Sequence, residues 1–181
     1  MENYNNKDRL NSSLHQDQTS TSPFRDGASP QSRVWIYQSS REFSPEQLKT
    51  FSELKSIFLQ QWESHGSPVK GNIEVLHNRF IVVFIDEADE KSCGRSVDAS
   101  IRFMKELESE LNVTLLDRML IAYKKDEKIF SCTIPEFEVL AKKEEINKNT
   151  IVFNNTMHTL AEFEKEWEVP AEKSWHKQFF T

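Results

Sequence analysis

The run Ile81-Val82-Val83-Phe84-Ile85 contains no polar side chain. Side chains alternate between the two faces of a strand, so this one is apolar on both, and it predicts a central strand. Its surroundings indicate how it is paired. Residues 72–76 form a second extended run, joined to residues 79–86 through His77-Asn78, where Asn tolerates the positive φ of a tight hairpin turn. The acidic stretch 86–90 then interrupts the strand.

Upstream, Val34-Trp35-Ile36-Tyr37 is a β-branched and aromatic run that predicts a buried strand. Ser44-Pro45-Glu46-Gln47 reads as a helix start, with Ser44 and Gln47 placed for a capping box and Pro45 suited to the first turn. Leu48, Phe51, Leu54, Phe58 and Trp62 then recur every three or four residues and put one apolar stripe on a helix that ends before Gly66 and Pro68. A second helix is expected from about Ser96, with Asp98 in its first turn, burying Val97, Ile101, Met104, Leu107 and Leu111 and stopping at Asn112. Residues 116–123 and 128–133 flank Lys124-Lys125-Asp126-Glu127 as a hairpin. Pro135 opens a shorter helix to about Glu145, residues 150–154 are a short strand, and Thr159-x-x-Glu162 is another capping box ahead of Phe163 and Trp167. The last segment, 169–181, carries Trp175, Phe179 and Phe180 without a clear period and is expected to dock on the rest of the chain.

The first six of these elements follow the βαββαβ order of ferredoxin-like folds. The fold class expected is therefore α+β: a two-layer sandwich of a mostly antiparallel sheet with helices on one face, followed by C-terminal additions. Residues 1–32 are rich in Asn, Gln, Ser, Thr and Asp and hold few large apolar anchors, so they predict a disordered polar tail ahead of a single domain over 33–181. About 150 residues suffice for one sizeable core, which thirteen Phe and four Trp make strongly aromatic.

A formal charge of −6 removes the long-range field on which nucleic-acid binders and binders of anionic membranes depend, and no nucleic-acid partner is expected. Cys93 and Cys132 form no CxxC, and the five His sit in different elements, so neither a metal site nor a disulfide framework is implied. No cofactor is expected. No charged-then-apolar leader opens the sequence and no apolar run approaches the ~20 residues of a membrane helix, which predicts a cytoplasmic protein without membrane insertion.

Several segments occur together in order: Arg33-Val34-Trp35-Ile36-Tyr37-Gln38-Ser39-Ser40-Arg41-Glu42-Phe43, Ser96-Val97-Asp98-Ala99-Ser100, Leu116-Asp117-Arg118-Met119, Thr150-Ile151-Val152-Phe153-Asn154-Asn155 and Trp167-Glu168-Val169-Pro170-Ala171. Over about residues 33–180 the chain thereby resembles a family of small bacterial proteins usually catalogued as hypothetical or labelled "ABC transporter ATPase". The resemblance implies an association with transport and nucleotide hydrolysis. In that family the segment opening the second helix often reads Gly-Cys-Ser-Ile-Asp, whereas here Arg95 precedes Ser96 and the cysteine is Cys93.

The residues themselves do not support ATP hydrolysis. A phosphate-cradling loop needs clustered glycines ending in GK[ST], and the four glycines here, 27, 66, 71 and 94, are scattered. The nearest approach, Asp89 to Ser96, has an Asp at the first glycine position, Arg95 in place of the Lys and acidic neighbours that repel phosphate. The same stretch is nonetheless the best candidate binding site. Gly94, Arg95, Ser96 and Asp98 open a helix, and Arg95 can hold a carboxylate or phosphate. Arg41, Arg118 and Asn154 lie at strand ends from which they can line such a site. The ordinary alternatives are a helix cap, structural ion pairs and a turn-forming Asn pair. Trp167, Trp175, Phe179 and Phe180 can anchor a protein partner, or pack on their own chain. These readings point first to a non-catalytic binding or adaptor protein, and second to a small-molecule or nucleotide binder using residues 93–98.

Overall fold

The computed structural model of the protein describes Arg25 and residues 27–88 and 94–180. Most of the expected tail, the acidic stretch from Asp89 onward and Cys93 lie outside the described residues. The elements are β1 (Arg33–Gln38), α1 (Pro45–Gln61), β2 (Glu63–Ser64), β3 (Ser67–Pro68), β4 (Gly71–Leu76), β5 (Phe80–Ile85), α2 (Gly94–Leu111), β6 (Leu120–Lys125), β7 (Lys128–Thr133), α3 (Ile134–Lys142), β8 (Ile151–Phe153), α4 (Leu160–Glu166) and β9 (Glu168–Pro170), followed by two 3₁₀ turns over Ala171–Lys173 and Trp175–Phe180.

Local chemistry sets most boundaries. Ser44, Thr133 and Thr159 each accept a hydrogen bond from the third residue of the helix they cap, while Gln47, Glu136 and Glu162 return it. His77-Asn78 and Asp126-Glu127 both hold positive φ at each residue, the backbone of a tight hairpin turn that matches strand twist.

The fold is an α+β mixture of antiparallel sheets, with β5 central between β1 and β4. The β6 strand does not join this sheet beside β1, where a ferredoxin-like arrangement would put it. It starts a second antiparallel sheet in the order β7-β6-β8-β9. The free edge of β1 is taken instead by the chain before α4: Val34 N–H donates to the His158 carbonyl, Leu160 N–H to the Ser32 carbonyl, and Arg33 bridges Thr159.

Two layers become four. Ile81, Val83 and Ile85 of β5 pack with Phe51 and Trp62 at α1 and with Met104 and Leu107 of α2. Phe80, Val82 and Phe84, on the opposite face, pack with Ala122 and Phe153 of the second sheet and with Phe163 and Trp167. Ile121, Tyr123 and Val152 turn the other way, toward Phe137 of α3 and the C-terminal Trp175, Phe179 and Phe180. Each sheet thus carries helices on one face and presents its other face to its partner sheet, the arrangement that a strand apolar on both sides requires.

One further expectation is corrected. On α2 the buried residues are Ser96, Ser100, Phe103, Met104, Leu107 and Leu111, with Val97 and Ile101 only partly covered, because Phe103 stacks on Phe58 at 4.3 Å and rotates the stripe toward α1. Ahead of residue 33 the described residues also make tertiary contacts. Arg25 pairs with Glu74 at 3.3 Å, Ser32 is fully buried, and the Pro30 carbonyl accepts from Ala161 N–H. Those partners lie far off in sequence, so composition alone could not reveal them.

Candidate functional site

Among the described residues, one feature with the geometry of a site is a groove where the end of α1, the β2–β3 hairpin and the first half of α2 meet. Trp62 positions all three. It is 2% exposed and its Nε1–H donates to the Ser96 carbonyl at 2.9 Å, tying the chain after α1 to the start of α2. Its ring also lies over Gly71, where a Cβ would sit 2.6 Å from the ring and 2.7 Å from the Phe84 carbonyl oxygen, so only glycine fits. The hairpin then turns through His65 and Gly66, both at positive φ.

The resulting cavity is about 570 Å³, lined by Gln61 and Glu63, by His65 and Gly66 of the turn, and by Arg95, Ala99 and Arg102 of α2. Such a volume lies within the range of roughly 300–1,000 Å³ usual for small-molecule sites. Arg95, Ala99 and Arg102 are spaced four and three residues apart, which puts them on one face of the helix. Two guanidiniums therefore face one carboxylate across the opening. Among the described residues, neither Arg95 nor Arg102 makes an ion pair or hydrogen bond.

The residues proposed from sequence are distributed unevenly around this groove. Arg95 lines it, while Gly94 and Asp98 are exposed beside it. Ser96 faces inward, fully buried, and contributes its carbonyl to Trp62. Arg41 is a helix length away, near the opposite end of α2, where it donates to the Asn112 carbonyl and to Gln47 Oε1. Arg118 is exposed and lies near Tyr37, whose phenol burial pushes up and the guanidinium partly pulls back. Asn154 is buried just after β8, its N–H donating to the Trp167 carbonyl and its Oδ1 accepting from Thr156. The structure thus brings Arg95 together with Arg102 and His65, and does not bring it together with Arg41, Arg118 or Asn154. Cys93 lies outside the described residues.

A second polar cluster occupies the seam between the two sheets. Gln38 donates to Ser131 Oγ and accepts from Asn155 Nδ2, whose Oδ1 accepts from Trp167 Nε1; Arg79 donates to the same Ser131 at 2.9 Å. Beside it Glu168 is held between His77 and Lys124. Burial pushes the Glu168 carboxyl up, but the hydrogen bonds and charges of His77 and Lys124 more than offset this and hold it below the usual carboxylate range. The groups of this cluster are engaged with one another and join β1 and the β4–β5 turn to the second sheet.

Two further reactive side chains among the described residues lie apart from both clusters. His176 is fully buried against Trp175 and Phe137, with Nδ1 2.8 Å from Ser174 Oγ, and burial pulls its imidazole down to about 4. Burial and nearby Glu136 push the Cys132 thiol up to about 11, which leaves little thiolate at neutral pH. Among the described residues no group of three or more His, Cys, Asp or Glu is placed to hold a metal, and no helix is long and apolar enough to cross a membrane.

His65, Arg102 and Glu63 escaped the sequence reading. The Arg95/Ala99/Arg102 spacing was visible and marks a shared helical face, but nothing local places the hairpin turn opposite it. Comparison with protein-family models, with curated proteins and with solved structures found no match.

Proposed function

We propose that this protein is a binding protein whose site is the α1/α2 groove and whose ligand is a small anion. The observation that supports this most is the pair of arginines on one face of α2, lining a concavity without a partner among the described residues, in a chain whose net charge is −6. An arginine with no structural ion pair keeps its planar donors for a carboxylate or phosphate. The His65 imidazole opposite adds a further polar contact, and Glu63 restrains the site from binding anions indiscriminately.

The reading of a protein adaptor docking through the C-terminal aromatics has less support. Trp175, Phe179 and Phe180 pack against Phe137 of α3, so a partner there must first displace them. Nucleotide hydrolysis, which the family resemblance implies, is no part of the proposal.

The test is calorimetric titration of the full chain with inorganic phosphate and with simple mono- and dicarboxylates, beside Arg95→Gln and Arg102→Gln. Saturable binding that weakens about tenfold or more in each variant is the expected result, since hydrogen bonds to charged groups are among the stronger ones. Binding that is unaffected by both substitutions places the anion elsewhere and removes the proposal.

A further inference from the structure

Each of the two larger sheets has two edges, and among the described residues three of the four carry a device against edge-to-edge pairing. The edge of β1 is taken by the chain before α4. The β4 strand holds a buried charge, Glu74, which Arg25 pairs, and β9 is three residues long and ends in Pro170. The β7 strand has none of these. It pairs with β6 one residue to one, without a bulge, contains no proline and places its only charge, Lys128, at one end. Ile134 N–H donates to the Met119 carbonyl, so the even-numbered residues here turn their backbone toward β6. Ile129, Ser131 and Thr133 therefore turn theirs outward. Thr133 N–H is taken by Glu136 Oε2 at 2.7 Å, whereas the outward groups of Ile129 and Ser131 have no partner among the described residues. Between them Phe130, stacked on Tyr123, is 41% exposed.

We infer that the β7 edge is an interaction surface for a second copy of this chain, which pairs with it antiparallel through its own β7 and joins the two sheets into one. The register follows from what is left to bond. With Thr133 N–H engaged, Ile129 of each copy exchanges hydrogen bonds with Ser131 of the other. Phe130 then lies directly opposite Phe130 of the second copy as a non-hydrogen-bonded pair, the closer of the two kinds, and the Tyr123–Phe130 stack continues across the two-fold axis. Charge selects the occupant. In this register Lys128 faces Cys132 of the second copy, and Glu136, which caps that end of the strand, lies beside Cys132. Symmetry makes the same complementary contact twice. An unrelated strand would satisfy the backbone groups alone, without matching Lys128 at one end and Glu136 at the other. The interface is small, so the dimer is weak and depends on concentration. It is independent of the anion groove, which belongs to the helices of the other sheet.

The decisive experiment is sedimentation velocity of the full chain from about 5 to about 500 µM, over which the parent is expected to pass from monomer to dimer. Phe130→Lys sets like charges opposite each other, and Ile129→Pro removes an outward N–H that β6 does not use. Each should weaken dimerisation about tenfold or more, with circular dichroism and urea unfolding showing that the chain stays folded. Should Ile129→Pro unfold the chain, Phe130→Lys, at an exposed position, carries the test alone. Phe130→Cys reads the register: opposed residues of a non-hydrogen-bonded pair have Cα atoms roughly 4.5 Å apart, within disulfide reach. Mild oxidation should therefore give a dimer cross-linked between position 130 of both copies, located by peptide mass spectrometry. A parent that stays monomeric throughout overturns the proposal, as does a dimer indifferent to Phe130→Lys. A dimer whose Phe130→Cys variant forms no such cross-link overturns this register and with it the β7 pairing argued from it.

Discussion

The α1/α2 groove and the seam between the sheets contain similar chemistry in opposite states. Both hold a His, a Glu and cationic side chains. At the seam these are matched: Glu168 lies between His77 and Lys124, and Arg79, Gln38, Ser131, Asn155 and Trp167 form one chain of hydrogen bonds. At the groove Arg95 and Arg102 face an opening and are matched by nothing described. Polar groups satisfied inside the protein hold it together; polar groups left unsatisfied in a concavity are free to bind something else. Substitutions at the seam should therefore change stability, and substitutions in the groove should change binding.

The largest effect is expected at Trp167. This side chain is 6% exposed, stacks on Phe163 at 4.8 Å, meets Phe80 and Phe153 edge-on and donates to Asn155. Trp167→Ala leaves a cavity where the two sheets meet and an amide without its donor, and should cost about 3–5 kcal/mol. Arg95→Ala and Arg102→Ala should stay within roughly 0.5 kcal/mol of the parent, as exposed substitutions do. Urea unfolding of the three variants measures the contrast. A groove arginine costing as much as Trp167 would mean that the groove is part of the framework.

Gly71→Ala tests where the two regions are coupled. The added methyl group meets the Trp62 ring and the Phe84 carbonyl oxygen of β5 at once, so both must shift relative to Gly71, for a cost of about 1–3 kcal/mol. Because Trp62 ties the hairpin to α2 through Ser96, the groove should lose affinity for inorganic phosphate together with stability. Lost stability with unchanged affinity would show that the groove is assembled without Trp62.

The same distinction explains what could be read from the sequence. The capping boxes at Ser44 and Thr159 and the turn at His77-Asn78 were legible because each is decided by residues within a few positions of one another. The pairing of β6 was not, because it depends on His158 and Leu160 occupying the edge of β1 from more than a hundred residues away. A clue was present all the same: a strand apolar on both faces needs a cover on each, and a two-layer sandwich supplies only one. Of the site, Arg95 was legible as the basic residue beside Gly94. Arg102 and His65 were not, since they become neighbours only once Trp62 has folded the hairpin back over α2. Arg41 and Asn154 lie apart from Arg95, because the chain carries Arg41 to the other end of α2 and Asn154 to the end of β8 beside Trp167.

At the seam the smaller effect is expected at Glu168, and its pH dependence gives its sign. The folded-state pKa of Glu168 lies below its ordinary value of 4.5, so its ionised form is favoured by folding. Its contribution is therefore fully present above about pH 4.5 and is lost as pH falls through the depressed folded value. Glu168→Gln keeps the shape, removes the charge and leaves His77 and Lys124 facing an amide. At neutral pH, with all three side chains partly solvated, the cost should be about 1 kcal/mol, and it should shrink toward zero as the pH is lowered beneath 4.5. Chemical denaturation of parent and variant at several pH values measures the difference. A difference that persists undiminished at low pH would assign the role of Glu168 to packing and hydrogen bonding, and the seam would then owe its cohesion to shape and not to matched charge.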